Sequence, residues 1–597
     1  MSVVRYHIDP VNGNNSNDGL SPGTAWKDRT KVNALPFGFF SGGRELAFLR
    51  GTTSTGGYFG FVNMGGMTSN PLAFKVCAYG DPSLPKPIIQ SSSPEGVLLF
   101  ANCGRIEVCD VEVDGTGSSL GVEAGINVLG ASGFNQAYGV YIHDVVAHNM
   151  SGDGISLGSN LTANMVNGLT DYVVERCEVY ACKNDGISWL DGMSDVGWII
   201  RFNNVNNIGL GTGAGSASAA AGDGITGHSN TWGHKIYGNI IDTCRDGMHF
   251  VSYGTNGREF EVFGNVISNC SQSCIRFENA NAGAATSTEI RELTIANNIC
   301  TMAQVSTAQA CIAVGPKIVA SPQNMFPFRA KVVNNTTWSV PSSTNEWNNF
   351  DFLSSEDALS TIILVGNASH SADASKAHHV KISYGTSGAP TVIEDGNAYV
   401  DDDSLAFSVD GSTSNFAGYS LKGANTKLVS TLGFVGDPIA DYANAKPVGD
   451  SPIIGVGIGQ VVPTQKDFFG QTVRHSGRVA AGAAQFALEG TSNVYAVNKE
   501  VSLTANTLSD VTFSVPVKLL RVQYSGLSAD AKMRVASGEN SAPTNNWDAE
   551  EPGSVVTFGA TADYLTLPIE VEVDPPSYTV RLMPSASMTV HLTAKRG

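Results

Sequence analysis

The feature that most constrains the fold is a short motif that recurs along the first half of the chain. A turn, often Asp-Gly, is followed by an apolar residue, here called the anchor, that begins an extended stretch. Successive anchors are 23 to 38 residues apart, a spacing that is typical of solenoid proteins. The anchors are Val97, Ile126, Ile155, Ile187, Ile225, Met248, Ile275 and Ile312.

A second series of residues alternates with the anchors. After each anchor, a polar or cysteine residue precedes another apolar stretch, and these residues are Asp110, Asp144, Cys177, Asn204, Asn239, Asn265, Asn298 and Asn335. An asparagine at the same bend of each coil can form hydrogen bonds with its copies above and below. The intervening segments contain no amphipathic run long enough for the helices of βαβ units. The two series predict an all-β fold, a right-handed single-stranded parallel β-helix.

Three regions are expected along the chain. A capping segment over residues 1–40 precedes the β-helix, which we expect over residues 41–488 with irregular coils between Trp338 and Ala440. From residue 494 onward apolar and polar residues alternate between turns rich in Pro and Gly, which indicates antiparallel strands. Residues 489–597 are therefore predicted to form a C-terminal β-sandwich that serves trimerisation or carbohydrate binding.

Composition excludes several classes of partner. Lys and Arg number 36 against 54 Asp and Glu, a net charge of −18, which argues against nucleic acid and against an anionic membrane surface. The first residues do not resemble a signal peptide, and no apolar run is long enough to span a membrane. The ten cysteines form no Cys-x-x-Cys pair, so we expect buried free thiols suited to a reducing cytoplasm, and neither a metal nor another cofactor.

Both ends of the predicted helix carry segments with a family resemblance. The stretch from Tyr6 to Trp26, with Asp-Pro-Val-Asn-Gly-Asn-Asn-Ser, is followed by Arg44-Glu-Leu-Ala-Phe-Leu-Arg-Gly51; Asp467-Phe-Phe-Gly-Gln-Thr-Val-Arg lies near the other end. Over residues 1–486 the chain resembles the pectate-lyase-like β-helix proteins that degrade polysaccharides. This group includes polysaccharide lyases, glycoside hydrolases and bacteriophage tailspike depolymerases.

The resemblance is greatest to the tailspike depolymerases. It implies an endo-hydrolase that cleaves glycosidic bonds of bacterial capsular or O-antigen polysaccharide. It also implies a homotrimer in the virion tail, attached to the phage baseplate or to another tail protein. Two alternatives remain open: a secreted polysaccharide lyase or epimerase, and a non-catalytic adhesin or fibre.

Strand alternation indicates where the chemistry lies. If each anchor points inward, the next residue points outward, and so does the residue two positions further on. These outward columns hold small or neutral residues except in three consecutive coils. The exceptions are His228, then His249, then Arg276 with Glu278.

Two mechanisms can use these residues. Hydrolysis needs two carboxyl groups roughly 5–10 Å apart, and the candidates are Glu278, Asp246, Asp191 and Asp195, with Glu278 preferred. For Asp246 a purely turn-forming role is the alternative, because other coils have an aspartate at the same position, namely Asp153, Asp185 and Asp223.

β-Elimination would instead use His249 or His228 as the base and Arg276 to neutralise a uronic carboxylate. The predicted sugar-stacking residues are the same for both mechanisms: Trp189, Trp232 and Tyr253.

Overall fold

The computed structural model divides the chain into two compact units, Met1–Phe486 and Ala487–Gly597. The described residues are 3–36, 38–40, 43–62, 74–101, 103, 106–116, 124–129, 139–157, 172–189, 198–209, 222–229, 234–252, 260–279, 291–303, 310–315, 328–340, 347–354, 360–371, 377–384, 389–400, 406–435, 437–438, 441–448, 451–453, 456–458, 478–479, 481–483, 495–503, 509–525, 531–537, 554–558, 569–584 and 588–596.

The first unit is a parallel β-helix built from three sheets of 13 strands each. From Arg44–Leu49 to Phe407–Val409 the chain visits the three sheets in the same order in each coil. Sheet 1 contains Val4–Ile8, Arg44–Leu49, Phe74–Tyr79, Ile106–Cys109, Val140–His143, Tyr172–Glu175, Ile199–Arg201, Lys235–Tyr237, Phe260–Phe263, Arg291–Ala296, Phe328–Val333, Thr361–Val365 and Thr391–Asp395. Sheet 2 contains Thr53–Ser54, Ile88–Gln90, Glu112–Asp114, Val146–His148, Glu178–Tyr180, Asn204–Asn206, Ile240–Asp242, Val266–Ser268, Ile299–Ala303, Thr336–Val340, Ala368–Ser371, Ala398–Val400 and Lys427–Val429. Sheet 3 contains Phe59–Val62, Leu98–Ala101, Ala124–Leu129, Asp153–Leu157, Ile187–Trp189, Ile225–Ser229, Asp246–Ser252, Ser273–Asn279, Ala310–Gly315, Trp347–Ser354, Ala377–Tyr384, Phe407–Val409 and Ser412–Ser414.

The anchors form a continuous column in the core of the helix. From Ile126 to Ile312 each anchor is paired with the next one across sheet 3, and all of them are fully buried. The prediction is wrong by one residue at Val97, because Leu98 is the residue that pairs with Ile126. The column also continues beyond the predicted repeat, through Phe350, Val380 and Phe407.

A buried asparagine ladder occupies the turn between sheet 1 and sheet 2. Its members are Asn203, Asn239, Asn265, Asn298, Asn335, Asn367 and Asn397. From Asn239 onward, each side-chain oxygen accepts a hydrogen bond from the backbone N–H of the preceding ladder residue, for example Asn239 N to Asn265 Oδ1 at 3.0 Å. The Asn203 oxygen accepts from Cys177 N in the same way. Each side-chain amide donates to backbone carbonyls, as Asn265 does to Ile236 O at 3.0 Å. The ladder therefore satisfies turn groups that would otherwise be buried without a partner.

The predicted ladder is shifted by one residue in three coils. Asp110 and Asp144 lie one position before the ladder, with φ of 59° and 55°, where the turn needs a left-handed residue. Asn204 lies one position after it and is exposed in a sheet 2 strand. The ladder residue of that coil is its neighbour Asn203, which is 1% exposed.

The remaining regular structure is short or lies in the second unit. The one described α-helix is Arg29–Asn33, and 3₁₀ turns occur at Pro22–Thr24 and Tyr442–Ala445. Gly457–Ile458 pairs with Arg478–Val479. Among the described residues, no helix combines the length and apolar character needed to cross a membrane. All ten cysteines are buried free thiols, as the sequence predicts.

The second unit contains a six-stranded antiparallel sheet. Its strands are Tyr495–Leu503, Ser509–Ser525, Ala531–Ser537, Ser554–Phe558, Ile569–Pro584 and Met588–Arg596. A sandwich needs a second sheet, and none is present among the described residues of this unit. The β-sandwich therefore stays a prediction.

Two adjacent asparagines test the ladder. Asn203→Ala removes the acceptor for Cys177 N at 2.9 Å and the donor to Val174 O at 3.1 Å. Leaving such buried groups unpaired costs about 1–3 kcal/mol each, so we expect a clear drop in the denaturant midpoint. Asn204→Ala, on the exposed neighbour, should change stability by less than about 0.5 kcal/mol. Equal losses for the two variants would contradict the placement of the ladder.

Candidate active site

The predicted outward column lies on sheet 3 and is confirmed by strand pairing. Thr226, His249, Arg276 and Ala313 are paired in succession. Glu278 pairs with Val251, which in turn pairs with His228. The backbone of His228 is therefore two strands from Glu278, about 10 Å. The His228 side chain lies outside the described residues, so its contribution to the site remains a prediction.

One half of the site is an ion-paired group around Asp223. Arg245 binds both carboxylate oxygens of Asp223, with Nε–Oδ1 at 2.9 Å and Nη2–Oδ2 at 2.7 Å. The ring nitrogen Nδ1 of His249 lies 3.0 Å from Asp223 Oδ2. Asp223 is only 2% exposed, so its charge depends on these two cationic partners.

Glu278 and Arg276 form the other half. Their side chains are in direct contact through Arg276 Nη2 and Glu278 Oε1. The second ring nitrogen of His249, Nε2, lies 3.6 Å from the same Glu278 oxygen. His249 thus links the Asp223 group to the Glu278 group, and both carboxylates hold it in place.

Asp246 lies between the two halves and is fully buried. Its Oδ2 is 3.5 Å from Arg245 Nε and 3.7 Å from Arg276 Nη1. Neither of its oxygens has a hydrogen-bond partner among the described residues. Because Arg276 contacts both Asp246 and Glu278, their separation stays below the ~10 Å upper limit for a pair of glycosidase carboxyls.

The site holds its acids in different protonation states. Burial, and then the negative charge of Asp223, raise the pKa of Asp246 to about 7. For Asp223, burial is outweighed by His249 and Arg245, which lower its pKa. Burial alone would favour neutral His249, but its contacts with Asp223 and Glu278 raise its pKa to about 9. Near neutral pH the site therefore combines an Asp246 carboxyl that can lose or gain a proton with a protonated imidazole.

The repeated aspartates are partly turn-formers, as the sequence suggests. Backbone N–H groups of the next coil donate to Asp153 at 3.2 Å, to Asp185 at 2.9 Å and to Asp223 at 3.4 Å. The series ends at Asp246, because the next coil has Ser273 at this position and no described group donates to the Asp246 carboxyl. Turn chemistry therefore does not account for this aspartate.

Trp189 is a correction to the predicted sugar-binding set. It is 1% exposed and belongs to the apolar core, with its ring stacked on Phe250 at 5.7 Å. A Cβ on Gly227 would lie 2.0 Å from the indole, so that glycine makes room for it. Trp189 lies two residues after an anchor and therefore points inward, which excludes it from a sugar-binding surface. Asp191, Asp195, Trp232 and Tyr253 lie outside the described residues.

Sequence reasoning missed the roles of Asp223 and Arg245. Asp223 was assigned to the turn, which it does serve, and its second role depends on side-chain contacts with Arg245 and His249. One sequence feature could have indicated these roles. The residue before the repeated aspartate is the charged Arg245 in this coil, whereas it is Asn184 or Gly222 in the two preceding coils.

A metal ion is not needed to balance this cluster. Donor atoms of Asp223, Asp246 and His249 lie within 4.8 Å of one another, which would suit a cation. However, Arg245, Arg276 and the protonated His249 already balance the carboxylates, so we assign no metal to these residues.

Comparison with known proteins gives structural similarity only. No protein family and no curated protein matches the sequence. Similar solved structures include XylC in complex with xylose, which is 11% identical over 81% of this chain and 98% of that chain, with a TM-score of 0.46. Pectate lyase Pel9A is 12% identical over 81% and 96%, with a TM-score of 0.39.

A phage protein is also among the similar structures. Tailspike protein gp49 from Acinetobacter baumannii bacteriophage Fri1, a capsular polysaccharide depolymerase, is 9% identical over 100% of this chain and 86% of that chain, with a TM-score of 0.30. The assignment of the fold as a parallel β-helix rests on the three sheets described above.

The protonation of Asp246 can be tested through stability. An aspartate whose folded pKa of about 7 exceeds the unfolded value of about 3.9 stabilises the fold most below about pH 4. That contribution is lost as the pH rises through 7. Asp246→Asn has no carboxyl to ionise. The melting temperature of the variant minus that of the wild type should therefore be larger at pH 8 than at pH 5.

Asp223→Asn is a control for which the stability difference from the wild type should change with pH in the opposite direction. The pKa of Asp223 is lowered, so its carboxylate stabilises the fold above the unfolded pKa and this contribution is lost in acid. The variant should therefore be less stable than the wild type at neutral pH, with a smaller difference at low pH. The same pH trend in both variants would be inconsistent with the assigned protonation states.

Proposed function

We propose that this protein is an endo-acting polysaccharide depolymerase of the glycoside hydrolase type. The observation that carries the proposal is the buried Asp246 carboxyl, which has a pKa near neutrality and is linked to Glu278 through Arg276. Hydrolysis of a glycosidic bond typically requires two carboxyl groups, one protonated and one ionised.

Each residue has a distinct role in the proposed reaction. Asp246, in its protonated form, donates a proton to the glycosidic oxygen as the bond to the leaving sugar breaks. Glu278 acts on the other side of the sugar, either as the nucleophile or as the base that activates water. Arg276 and His249 keep Glu278 oriented. Arg245 contacts Asp246, and Asp223 contacts His249; these contacts hold the two side chains in position.

Substrate access requires movement at Arg276. Asp246 and Glu278 are almost fully buried, whereas 18% of the Arg276 side chain is exposed. The arginine is therefore at the solvent end of the cluster. We propose that an entering sugar displaces it, so that its contacts with Asp246 and Glu278 are exchanged for contacts with the substrate.

Elimination is less well supported than hydrolysis. A base that removes a proton beside a uronic carboxylate must itself be unprotonated. The raised pKa of His249, about 9, keeps its ring protonated at neutral pH. Arg276 is also already paired with Glu278, which reduces its capacity to neutralise a substrate carboxylate.

We further propose that the chain is a phage tailspike that acts on bacterial capsular or O-antigen polysaccharide. A solenoid exposes a long face that suits an extended polymer. The ten buried free thiols fit a protein that folds in a reducing cytoplasm and functions in the virion tail. We propose that the chain forms a homotrimer attached to the baseplate or to another tail protein. Size-exclusion chromatography with light scattering would test the trimer by measuring the mass of the assembly.

The experiment is incubation with capsular and O-antigen polysaccharides, followed by NMR of the fragments. Hydrolysis predicts a new reducing end without a double bond, and its initial anomeric configuration distinguishes a nucleophilic Glu278 from a basic one. An unsaturated uronate at the new end would select elimination. Binding of polysaccharide without any cleavage would select the non-catalytic adhesin.

Variants of the two carboxyls test the assignment. Asp246→Asn and Glu278→Gln should each reduce kcat by at least about 100-fold, because proton transfer and activation of the attacking group each contribute that much. Glu261→Gln is the matched control, since Glu261 lies on sheet 1 and pairs with Lys235 at 2.6 Å; its kcat should be unchanged. Wild-type rates in both site variants would rule out this site.

A further inference from the structure

A second cluster of chemically active side chains lies on sheet 1, away from the sheet 3 site. Glu107 and Cys109 are two residues apart on the strand Ile106–Cys109, so they share one face of the sheet. His143 is paired with Cys109 on the next strand. The intervening residues Val108 and Ile142 are fully buried in the core, so the three side chains lie on the outer face.

The donor atoms of this cluster are spaced as metal ligands are. His143 Nε2 lies 3.3 Å from Glu107 Oε1, and Cys109 Sγ lies 3.9 Å from the same oxygen. The donor atoms of all three residues lie within 4.8 Å of one another. Zinc–ligand bonds of about 2.0–2.3 Å place tetrahedral ligands roughly 3.3–3.8 Å apart, close to the observed distances.

The surroundings of His143 provide a second, independent observation. Its other ring nitrogen, Nδ1, lies 2.7 Å from Asp144 Oδ2. Arg176 fixes that carboxylate through Nε–Oδ1 at 3.0 Å and Nη2–Oδ2 at 2.9 Å. A carboxylate behind the imidazole is the usual support of a metal-binding histidine, because it orients the ring and leaves the far nitrogen to the metal.

We propose that Glu107, Cys109 and His143 form a zinc-binding site with a fourth position open to water or to a ligand. The thiolate and the imidazole favour Zn²⁺ over the hard cations Ca²⁺ and Mg²⁺. Three protein ligands with one open position are the arrangement found in reactive zinc centres. Binding releases the thiol proton of Cys109 and the Nε2 proton of His143, because both groups coordinate in their deprotonated forms.

Lys75 competes with the metal at this site. Its Nζ lies 2.6 Å from Glu107 Oε1, so a zinc ion that uses this oxygen replaces the ammonium contact. Removing the ammonium should therefore strengthen zinc binding. A cluster that is only a surface ion-pair network would not show this effect.

The test uses the full chain, stripped with a chelator and titrated with Zn²⁺, and with Co²⁺ as a spectroscopic probe. We expect one equivalent of zinc per chain, a rise in melting temperature that saturates with zinc, and a thiolate-to-cobalt charge-transfer band. Cys109→Ser should abolish the band and the rise. Cys77→Ser is the matched control, because Cys77 is also buried on the outer face of the neighbouring strand Phe74–Tyr79, and it should retain both.

Two further results decide the proposal. Lys75→Met should bind zinc several-fold more tightly than the wild type, and a folded Lys75→Met with unchanged affinity would contradict the assigned ligands. The proposal is overturned if the wild type shows no thiolate band, or if Cys109→Ser binds zinc as the wild type does. Circular dichroism of each variant confirms that a lost band reflects a lost ligand and not an unfolded chain.

Discussion

The buried asparagine ladder at the turn between sheet 1 and sheet 2 is the interaction on which the rest of the helix depends. At this turn the chain changes direction inside the fold, and its backbone groups cannot reach water. From Asn203 to Asn397, one amide per coil satisfies them by accepting from the turn of one neighbouring coil and donating to backbone carbonyls, as Asn265 does with Asn239 N and Ile236 O. Because a slip of one residue would turn every side chain to the opposite face, the ladder also fixes which residues share a column.

The candidate site follows from that alignment. The coils that contain Asn203, Asn239 and Asn265 supply Asp223, then Asp246 with His249, then Arg276 with Glu278. Strand spacing of about 4.8 Å stacks these groups at contact distance. Three carboxyls face three cationic groups, yet Asp246 receives no hydrogen bond from a described residue. A buried carboxyl that is left without a donor titrates near neutrality, which is the property that the proposed acid requires.

The sequence predicts the coils better than it predicts the contacts between them. Periodicity identified the anchors and the columns of His249, Arg276 and Glu278, because apolar residues at a fixed face are a strong signal. It misplaced Asn204 by one residue, since two adjacent asparagines at 203 and 204 are indistinguishable until the turn geometry is known. Trp189 was predicted to stack on sugar although its spacing from Ile187 places it inside.

The side-chain contacts of Asp223 and of Glu107 could not be predicted from the sequence. Asp223 carries a turn motif like Asp153 and Asp185, and only its contacts with Arg245 and His249 distinguish it. The Glu107, Cys109 and His143 cluster has no sequence motif, because its third member comes from the next coil. The sequence therefore predicted no zinc site.

The most direct test of the account is a crystal structure of Glu278→Gln with a bound fragment of the polysaccharide that the wild type cleaves. We expect a sugar on the outer face of sheet 3, with Arg276 displaced and a glycosidic oxygen within hydrogen-bond distance, about 2.6–3.2 Å, of the Asp246 carboxyl. A fragment bound on another face or between chains, with Asp246 still enclosed and without contact to sugar, would contradict it.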